Sequence, residues 1–266
     1  MAENDHHKIT ITANACSRHS LRKPLPPNMH VSVVIPTYNE RGTIKFLIKR
    51  IFALNIPNLE IIIVDDSSPD GTLELVRALR KRFPVSLILR PKKLGLGSAL
   101  RDGLSLAREH GADIVITMDA DLSHDPILIK DMLQKIQNGA ADLIVGSRRI
   151  PDGKIQGWSV WRAFMSRGAM EFSRRLLDIK TRDVTSGFRA YRRRILETVD
   201  LNKLRSTGYA FQEEMLFRLE KSGFKILELP IIFNDRRRGK SKLGLRDIAE
   251  FFYTVIRLRL SSNSPP

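Results

Sequence analysis

Three observations predict an α/β fold with a mostly parallel central sheet flanked by helices. From His30 onward, short apolar runs alternate with longer runs of helical spacing. Several of the short runs are apolar at almost every position, as strands buried on both faces are. Polar clusters rich in carboxylates follow directly on three of them, at the carboxyl ends where open α/β sheets bind their ligands.

The elements follow in order. VSVVIP (31–36) is a β-branched strand and RGTIKFLIKRIFAL (41–54) a helix; LEIIIVDD (59–66) is a second strand and GTLELVRALRKRF (71–83) a second helix. VSLILR (85–90) forms a third strand, and LGLGSALRDGLSLAREHG (94–111) a helix opened by glycines. ADIVITMDAD (112–121), PILIKDMLQKIQNG (126–139) and ADLIVGSR (141–148) continue as strand, helix and strand. LRDIAEFFYTVIRLRL (245–260) places Leu245, Ile248, Phe251, Phe252, Val255 and Ile256 on one helical stripe, with Arg257 and Arg259 near its end. That pattern suits an interfacial helix and a core-packing helix equally. Residues 1–29 read as a mobile polar tail, 30–235 as the α/β domain, and 236–266 as a basic loop followed by the amphipathic helix.

With 266 residues, 42% of them apolar, the chain can bury a substantial core. Lys and Arg outnumber Asp and Glu by 45 to 29, a net charge of +16, which points to an anionic partner: a nucleotide, a phosphorylated substrate, an anionic membrane face or nucleic acid. Nucleic acid alone would leave the acidic strand ends unexplained, and neither zinc-finger spacing nor an aromatic ribonucleoprotein motif is present. Cys16 has no partner for an internal disulfide, the first residues lack a leader pattern, and no apolar run approaches the roughly 20 residues of a membrane-spanning helix. The expectation is a cytoplasmic protein.

In VITMDADLSH (115–124) the carboxylates of Asp119 and Asp121 end a strand two positions apart, so that both can point the same way. A divalent cation between them would relieve their repulsion; one of them capping the helix near Pro126 is the alternative. Asp65 or Asp66 likewise has the alternative of capping the helix near Gly71. KKLGLGSA suits close approach of backbone amides to phosphate, or only a tight turn.

VVIPTYNE, IIIVDDSSPDGT, KKLGLGSALRDG, MDADLSHDP, GSR, DVTSGFRAY, FQEEM and RRRGKSKLG occur in the order and approximate spacing of family 2 glycosyltransferases. Over residues 30–246 the set most resembles the branch that moves mannose from GDP-mannose to a polyprenyl (dolichyl) phosphate. The resemblance implies a GT-A type nucleotide-diphospho-sugar transferase fold. It implies a nucleotide pocket of Pro36, Tyr38, Glu40, Val64, Asp66 and Lys93, with Ala120, Arg148, Arg238 and Lys242 also around the donor. Asp119 and Asp121 would ligate Mg²⁺ or Mn²⁺ on the donor diphosphate and, with Arg148, carry catalysis. Ser123 stands where a relative has glutamine, a weaker third ligand.

The resemblance further implies that Arg148, Arg162, Ser166 and Arg167 grip the acceptor phosphate, and that Asp183, Ser186, Gln212 and Glu213 border the sugar. The basic loop with Arg237, Arg238, Ser241 and Lys242 would close over the donor. Some relatives continue into membrane helices, so the expected location is the cytosolic face of the membrane carrying the lipid, at the endoplasmic reticulum or a prokaryotic plasma membrane, by peripheral contact or with small anchoring subunits. Transfer of glucose from UDP-glucose to the same lipid is the alternative within this chemistry.

Overall fold

The computed structural model describes residues 24–235 and 245–262; Arg237, Arg238, Ser241 and Lys242 of the basic loop lie outside them. Strands β1 (Val31–Thr37), β2 (Leu59–Asp65), β3 (Val85–Leu89) and β4 (Ile114–Thr117) alternate with helices α1 (Ile44–Phe52), α2 (Thr72–Leu79) and α3 (Leu96–Glu109). Then come α4 (Ile129–Gln137), β5 (Leu143–Ser147), the short β6 (Lys154–Gln156), α5 (Val160–Leu177), β7 (Arg189–Arg192), α6 (Arg193–Thr198), α7 (Ala210–Lys221), β8 (Ile226–Pro230), β9 (Ile232–Asn234) and α8 (Leu245–Ser262).

The main sheet has the order β3-β2-β1-β4-β7-β5-β8, and β6 pairs with β9 beside it. All main-sheet pairings are parallel except those of β7, which runs antiparallel between β4 and β5. Because strand order reverses between β1 and β4, the crevice for ligands opens at their carboxyl ends.

Period-2 alternation explains the unbroken apolar runs. Val33 and Ile35 of β1 and Ile61 and Ile63 of β2 face α1 and α4, meeting Leu47, Ile48, Met132 and Leu133. Val34, Ile62 and Val64 face the other way, against Leu100 and Leu104 of α3 and Phe211 and Met215 of α7. With both sheet faces covered, each strand residue loses water whichever way it points. Val64, expected at the nucleotide, is one of these wholly buried core residues: its position in the pleat aims it at α3.

The capping alternatives are decided by neighbouring aspartates. Asp70 accepts the N–H of Thr72 (3.1 Å) at the start of α2, and Asp125 accepts the N–H of Ile127 (3.0 Å) in the 3₁₀ turn before α4. Asp65 instead ties its own loop, accepting from Thr37 Oγ1 (2.7 Å) and from the Ser68 backbone (2.9 Å) and hydroxyl (2.7 Å). Asp119 and Asp121 are therefore not needed to start the next helix.

Helix α8 splits the stripe expected of it. Thr254, Val255 and Leu258 are buried against the body of the protein, whereas Ile248, Phe252, Tyr253, Ile256 and Leu260 are exposed. The core-packing alternative holds for the buried face, and the other face leaves apolar side chains exposed.

Candidate active site

At the carboxyl ends of β1, β2 and β4 lies a cleft of about 530 Å³. Pro36, Tyr38, Glu40, Asp66, Lys93, Asp119, Ala120 and Asp121, each singled out from the sequence, line it, joined by Thr207, Gly208, Tyr209 and Glu250. The Lys93 ammonium lies 4.7 Å from the Tyr38 ring centroid, a cation–π contact at the cleft mouth.

Two expectations about this cleft change. Asp66 is buried and bound to the equally buried Arg90, which also reaches the Ser98 hydroxyl. Its other oxygen accepts the N–H groups of Leu94 and Gly95 (both 3.3 Å), so the carboxylate is an internal brace as well as part of the wall. The amides of Gly97 and Ser98 at the start of α3 are likewise engaged, donating to the Thr207 carbonyl (2.7 and 3.2 Å). Both groups had looked available to the nucleotide because the partners that take them up, Arg90 and Thr207, carry no sequence signal.

Asp121 Oδ1 accepts the Ser123 N–H (3.0 Å), closing a two-residue turn that fixes its carboxylate at the cleft floor. Asp119 is half-buried above the 186–188 turn, where a Cβ on Gly187 would come within 3.3 Å of Asp119 Oδ1. Next to this pair, the Ser123 hydroxyl and His124 Nδ1 are buried without a hydrogen-bond partner among the described residues. Nδ1 of His124 stands 4.0 Å from Asp119 Oδ2. Burial, opposed by the charge of Asp121, holds the His124 imidazole down at about 4, so the ring is neutral near pH 7.

Behind Asp119 begins a second, cationic group. Arg148 grips Asp183 with two side-chain bonds (Nε–Oδ2 and Nη2–Oδ1, each 2.7 Å) and a backbone one (2.9 Å). Its Nη2 also donates to Thr185 (2.9 Å), and its guanidinium lies 5.2 Å from the Phe233 ring centroid. Arg148 and the Asp183 hydrogen bonds hold that carboxyl below the usual aspartate range despite full burial. Arg149 donates to the Ser166 hydroxyl (3.1 Å), and burial together with the charge of Arg148 lowers its affinity for its proton. Arg162 pairs with Asp235 (3.0 Å) over the Trp158 ring, and Arg167 is exposed one turn along α5.

The structure thus places Arg148 within electrostatic reach of Asp119 and Ser166 against the neighbouring Arg149, while Arg162 is engaged with Asp235 and Asp183 is committed to Arg148. Ser186 donates to the Gly146 carbonyl (2.5 Å). The buried Arg189 staples the same turn by donating to the carbonyls of Val184, Ser186 and Gln212 (2.8 Å each).

Gln212 and Glu213 are buried in the first turn of α7 and do not line the cleft. Glu213 accepts from the Ser173 hydroxyl of α5, and burial pushes its carboxyl up to about 9, with Arg189 opposing. Glu213 is therefore protonated at neutral pH. Because its folded value exceeds its unfolded one, the stability linked to it is fully present below about pH 4.5 and falls as pH rises towards 9. Glu213→Gln is expected to raise the melting temperature at pH 8, leave it nearly unchanged at pH 4.5, and keep turnover; calorimetry at the two pH values checks this.

Residues 32–200 match the family model described as glycosyl transferase family 2, and the chain belongs to that family. The polyprenol monophosphomannose synthase of Mycolicibacterium smegmatis is 38% identical to it over 231 residues, 86% of each chain. The dolichol-phosphate mannosyltransferase of Pyrococcus furiosus is 40% identical over 235 residues, 86% of this chain; this chain spans 64% of the archaeal protein's length. A solved glucosyl-3-phosphoglycerate synthase from Mycobacterium tuberculosis, in complex with Mn²⁺, UDP and glucosyl-3-phosphoglycerate, superposes with a TM-score of 0.63 at 21% identity, covering 90% of this chain and 81% of that one. At that identity the likeness bears on the fold, a GT-A type α/β architecture.

Proposed function

We propose that this enzyme transfers mannose from GDP-mannose to a polyprenyl phosphate with inversion at the anomeric carbon. The observation that carries the reading is the meeting, at Asp119, of an acid-floored cleft of nucleotide size with Arg148 and, beyond it, Arg149 with the Ser166 hydroxyl. Kinship with enzymes named for mannose transfer to polyprenyl phosphates supports the substrates.

A divalent cation fits the donor set. Asp119 and Asp121 offer the hard oxygen ligands that Mg²⁺ and Mn²⁺ prefer, and the buried, unpartnered Ser123 hydroxyl adds a weak one. Among the described residues no cluster of three His, Cys, Asp or Glu side chains supplies more, which suits Mg²⁺, an ion usually held by one or two carboxylates plus substrate phosphate and water. When bound, the cation supplies neutralisation of charge on the diphosphate leaving group.

The residues of the chain supply the rest. A phosphate monoester has a second pKa of about 6 and is largely dianionic near neutral pH. An acceptor phosphate held beside Arg149, Arg162 and Ser166 is therefore its own nucleophile. Its oxygen bonds to the anomeric carbon as the bond from that carbon to the diphosphate oxygen breaks, and the electron pair leaves with GDP. No proton moves, which agrees with a Glu213 that is buried, protonated and not among the residues lining the cleft. Arg148, neutralised by Asp183, orients the boundary between the two groups and carries little free charge.

The acceptor is a lipid, and the exposed apolar side chains lie where one would dock. Val160, Trp161, Phe164 and Met165 of α5 are exposed, Trp161 by 70%. Phe172 of α5 meets Phe252 of α8 (ring centroids 5.6 Å apart), joining the exposed faces of the two helices. The basic surplus and the exposed Arg167, Arg175 and Arg259 match an anionic membrane face; among the described residues no helix is long and apolar enough to cross one. Trp161→Ser combined with Phe164→Ser is expected to weaken co-sedimentation with phosphatidylglycerol vesicles roughly tenfold or more while leaving GDP binding intact, since each aromatic contributes about 1.5–3 kcal/mol on burial.

The deciding experiment is transfer of labelled sugar to a polyprenyl phosphate in detergent, from GDP-mannose and from UDP-glucose in parallel, with Mg²⁺, Mn²⁺ or EDTA. Metal-dependent labelling from GDP-mannose alone is expected. Labelling from UDP-glucose alone would keep the chemistry and overturn the donor; labelling undiminished by EDTA would remove the cation.

A further inference from the structure

Thr207, Gly208 and Glu250 belong to none of the family motifs read from the sequence, yet they form one wall of the cleft. Glu250 is on α8, the helix whose outer face is exposed and apolar. Its Oε1 accepts the backbone N–H groups of Thr207 (2.9 Å) and Gly208 (3.1 Å). Arg257, two turns further along the same face, donates to Glu214 Oε2 (2.8 Å). That oxygen also accepts the N–H groups of Arg205 (3.1 Å) and Ser206 (3.0 Å) and the Ser206 hydroxyl (2.7 Å). Thr254, between them on the helix, lies 3.3 Å from the Ser206 hydroxyl. Thr207 and Gly208 thus hang from α8 directly through Glu250, and Arg205 and Ser206 through Glu214 of α7, which Arg257 ties to the same face of α8.

The segment is tied on its other side with as little slack. The Thr207 carbonyl accepts the first free amides of α3, from Gly97 and Ser98 (2.7 and 3.2 Å). A Cβ at Gly97 would stand 2.5 Å from Phe211 Cβ and 2.8 Å from the Gly208 carbonyl; one at Gly95 would stand 2.6 Å from the Thr207 carbonyl. Backbone is packed on backbone here, which explains the glycines that the sequence reading had offered to phosphate. Just before α3, Leu94 and Gly95 hold the Asp66 brace. A displacement of α8 at Glu250 therefore shifts the wall and, through it, the start of α3, because charge-assisted hydrogen bonds and close packing leave no compliant joint between them.

We propose that Glu250 is a positioning residue for the donor cleft: through Thr207 and Gly208 it locks the wall to α8, so that the seating of this surface helix sets how tightly a nucleoside diphosphate is held. The proposal rests on the cleft being the donor site. Its consequence is that contact of the outer face of α8 with a lipid surface tightens donor binding, so that the donor is held best where the acceptor is found.

The test uses the full chain, GDP as probe, and hydrogen exchange of segments 94–100 and 205–211, with and without phosphatidylglycerol vesicles. In Glu250→Ala, GDP affinity is expected to fall about tenfold, as for loss of hydrogen bonds to a charged group. Exchange should quicken in both segments, and vesicles, still bound, should no longer improve GDP affinity as they do for the wild type. Glu250→Gln keeps a carbonyl acceptor and should stay within about threefold of the wild type. Glu250→Asp keeps the charge but shortens the reach, and should behave like the alanine variant, which preserves the test if alanine destabilises the fold. In turnover, KM for the donor should rise with kcat and KM for the acceptor retained. Unchanged GDP affinity and exchange in Glu250→Ala and Glu250→Asp, equal losses in Glu250→Gln and Glu250→Ala, or wild-type GDP affinity indifferent to bound vesicles would each overturn the proposal. A wild type that binds no GDP would sink the donor-site reading instead, and exchange at 94–100 would still decide the mechanical link.

Discussion

Asp121→Asn is expected to lower transfer by about 10²–10³-fold while leaving the melting temperature within a few degrees of the wild type. The two effects separate because Asp121 has a role in the fold and, in the proposed mechanism, one at the cation, and asparagine splits them. Its Oδ1 closes the turn to the Ser123 N–H, and an amide oxygen accepts that bond equally well. Its charge is what a cation beside the diphosphate requires, and asparagine removes it. Asp121→Ala loses both and is expected to show the same defect in turnover with a lower melting temperature. Initial rates at saturating donor and acceptor, with Mn²⁺ titrated against each variant, are the measurement. Activity above a tenth of the wild type in Asp121→Asn would deny the carboxylate its place at the diphosphate. Asp119→Asn should be equally inactive, since Asp119 stands where the cleft and the cationic group meet.

The strands that carry these acids were readable because burial on both faces forces an unbroken apolar run, and helices α1 to α4 because each has one buried stripe. Helix α5 was not readable. Its first half exposes Trp161, Phe164 and Met165 and turns Ser166 to Arg149, and only Met170, Ser173 and Leu177 of its second half are buried, so its apolar residues do not mark one core-facing side. Strand β7 was hidden for a related reason: RAYR has one wholly buried arginine, Arg189, whose partners are backbone carbonyls that any sequence contains. The cleft was legible as motifs at strand ends. Which motif residues face the ligand and which face each other was not, because that depends on partners distant in sequence. Asp66 turned to Arg90, Asp183 to Arg148, and the amides of α3 to Thr207. Glu213 shows the same limit from the other side. Its motif resemblance placed it at the sugar, yet the first turns of its helix are buried and the acid keeps its proton.

Asp183→Ala is expected to cost about 3–5 kcal/mol of stability, among the largest single losses in the domain, because it strands the Arg148 guanidinium in a site where that side chain is only 9% exposed. The pair adjoins Arg149 in the proposed acceptor site, so its energetic meaning needs a cycle rather than one variant. Arg148→Met strands Asp183 instead and should cost a similar amount. Arg148→Met with Asp183→Leu removes both charges and should recover most of the loss, since desolvating two ions offsets much of their attraction. Turnover should not recover with it, because the double variant lacks the guanidinium beside Asp119. The folded carboxyl of Asp183 lies below its ordinary value, so the stability linked to it is present above that ordinary value of about 3.9 and is lost as pH falls through the folded one. Acid unfolding should therefore be shallower in the double variant than in the wild type, and denaturant melts from pH 7 down to pH 3 would show it. Additive losses in the cycle would mean that the two groups do not depend on each other, and a double variant with wild-type turnover would mean that Arg148 serves only the fold.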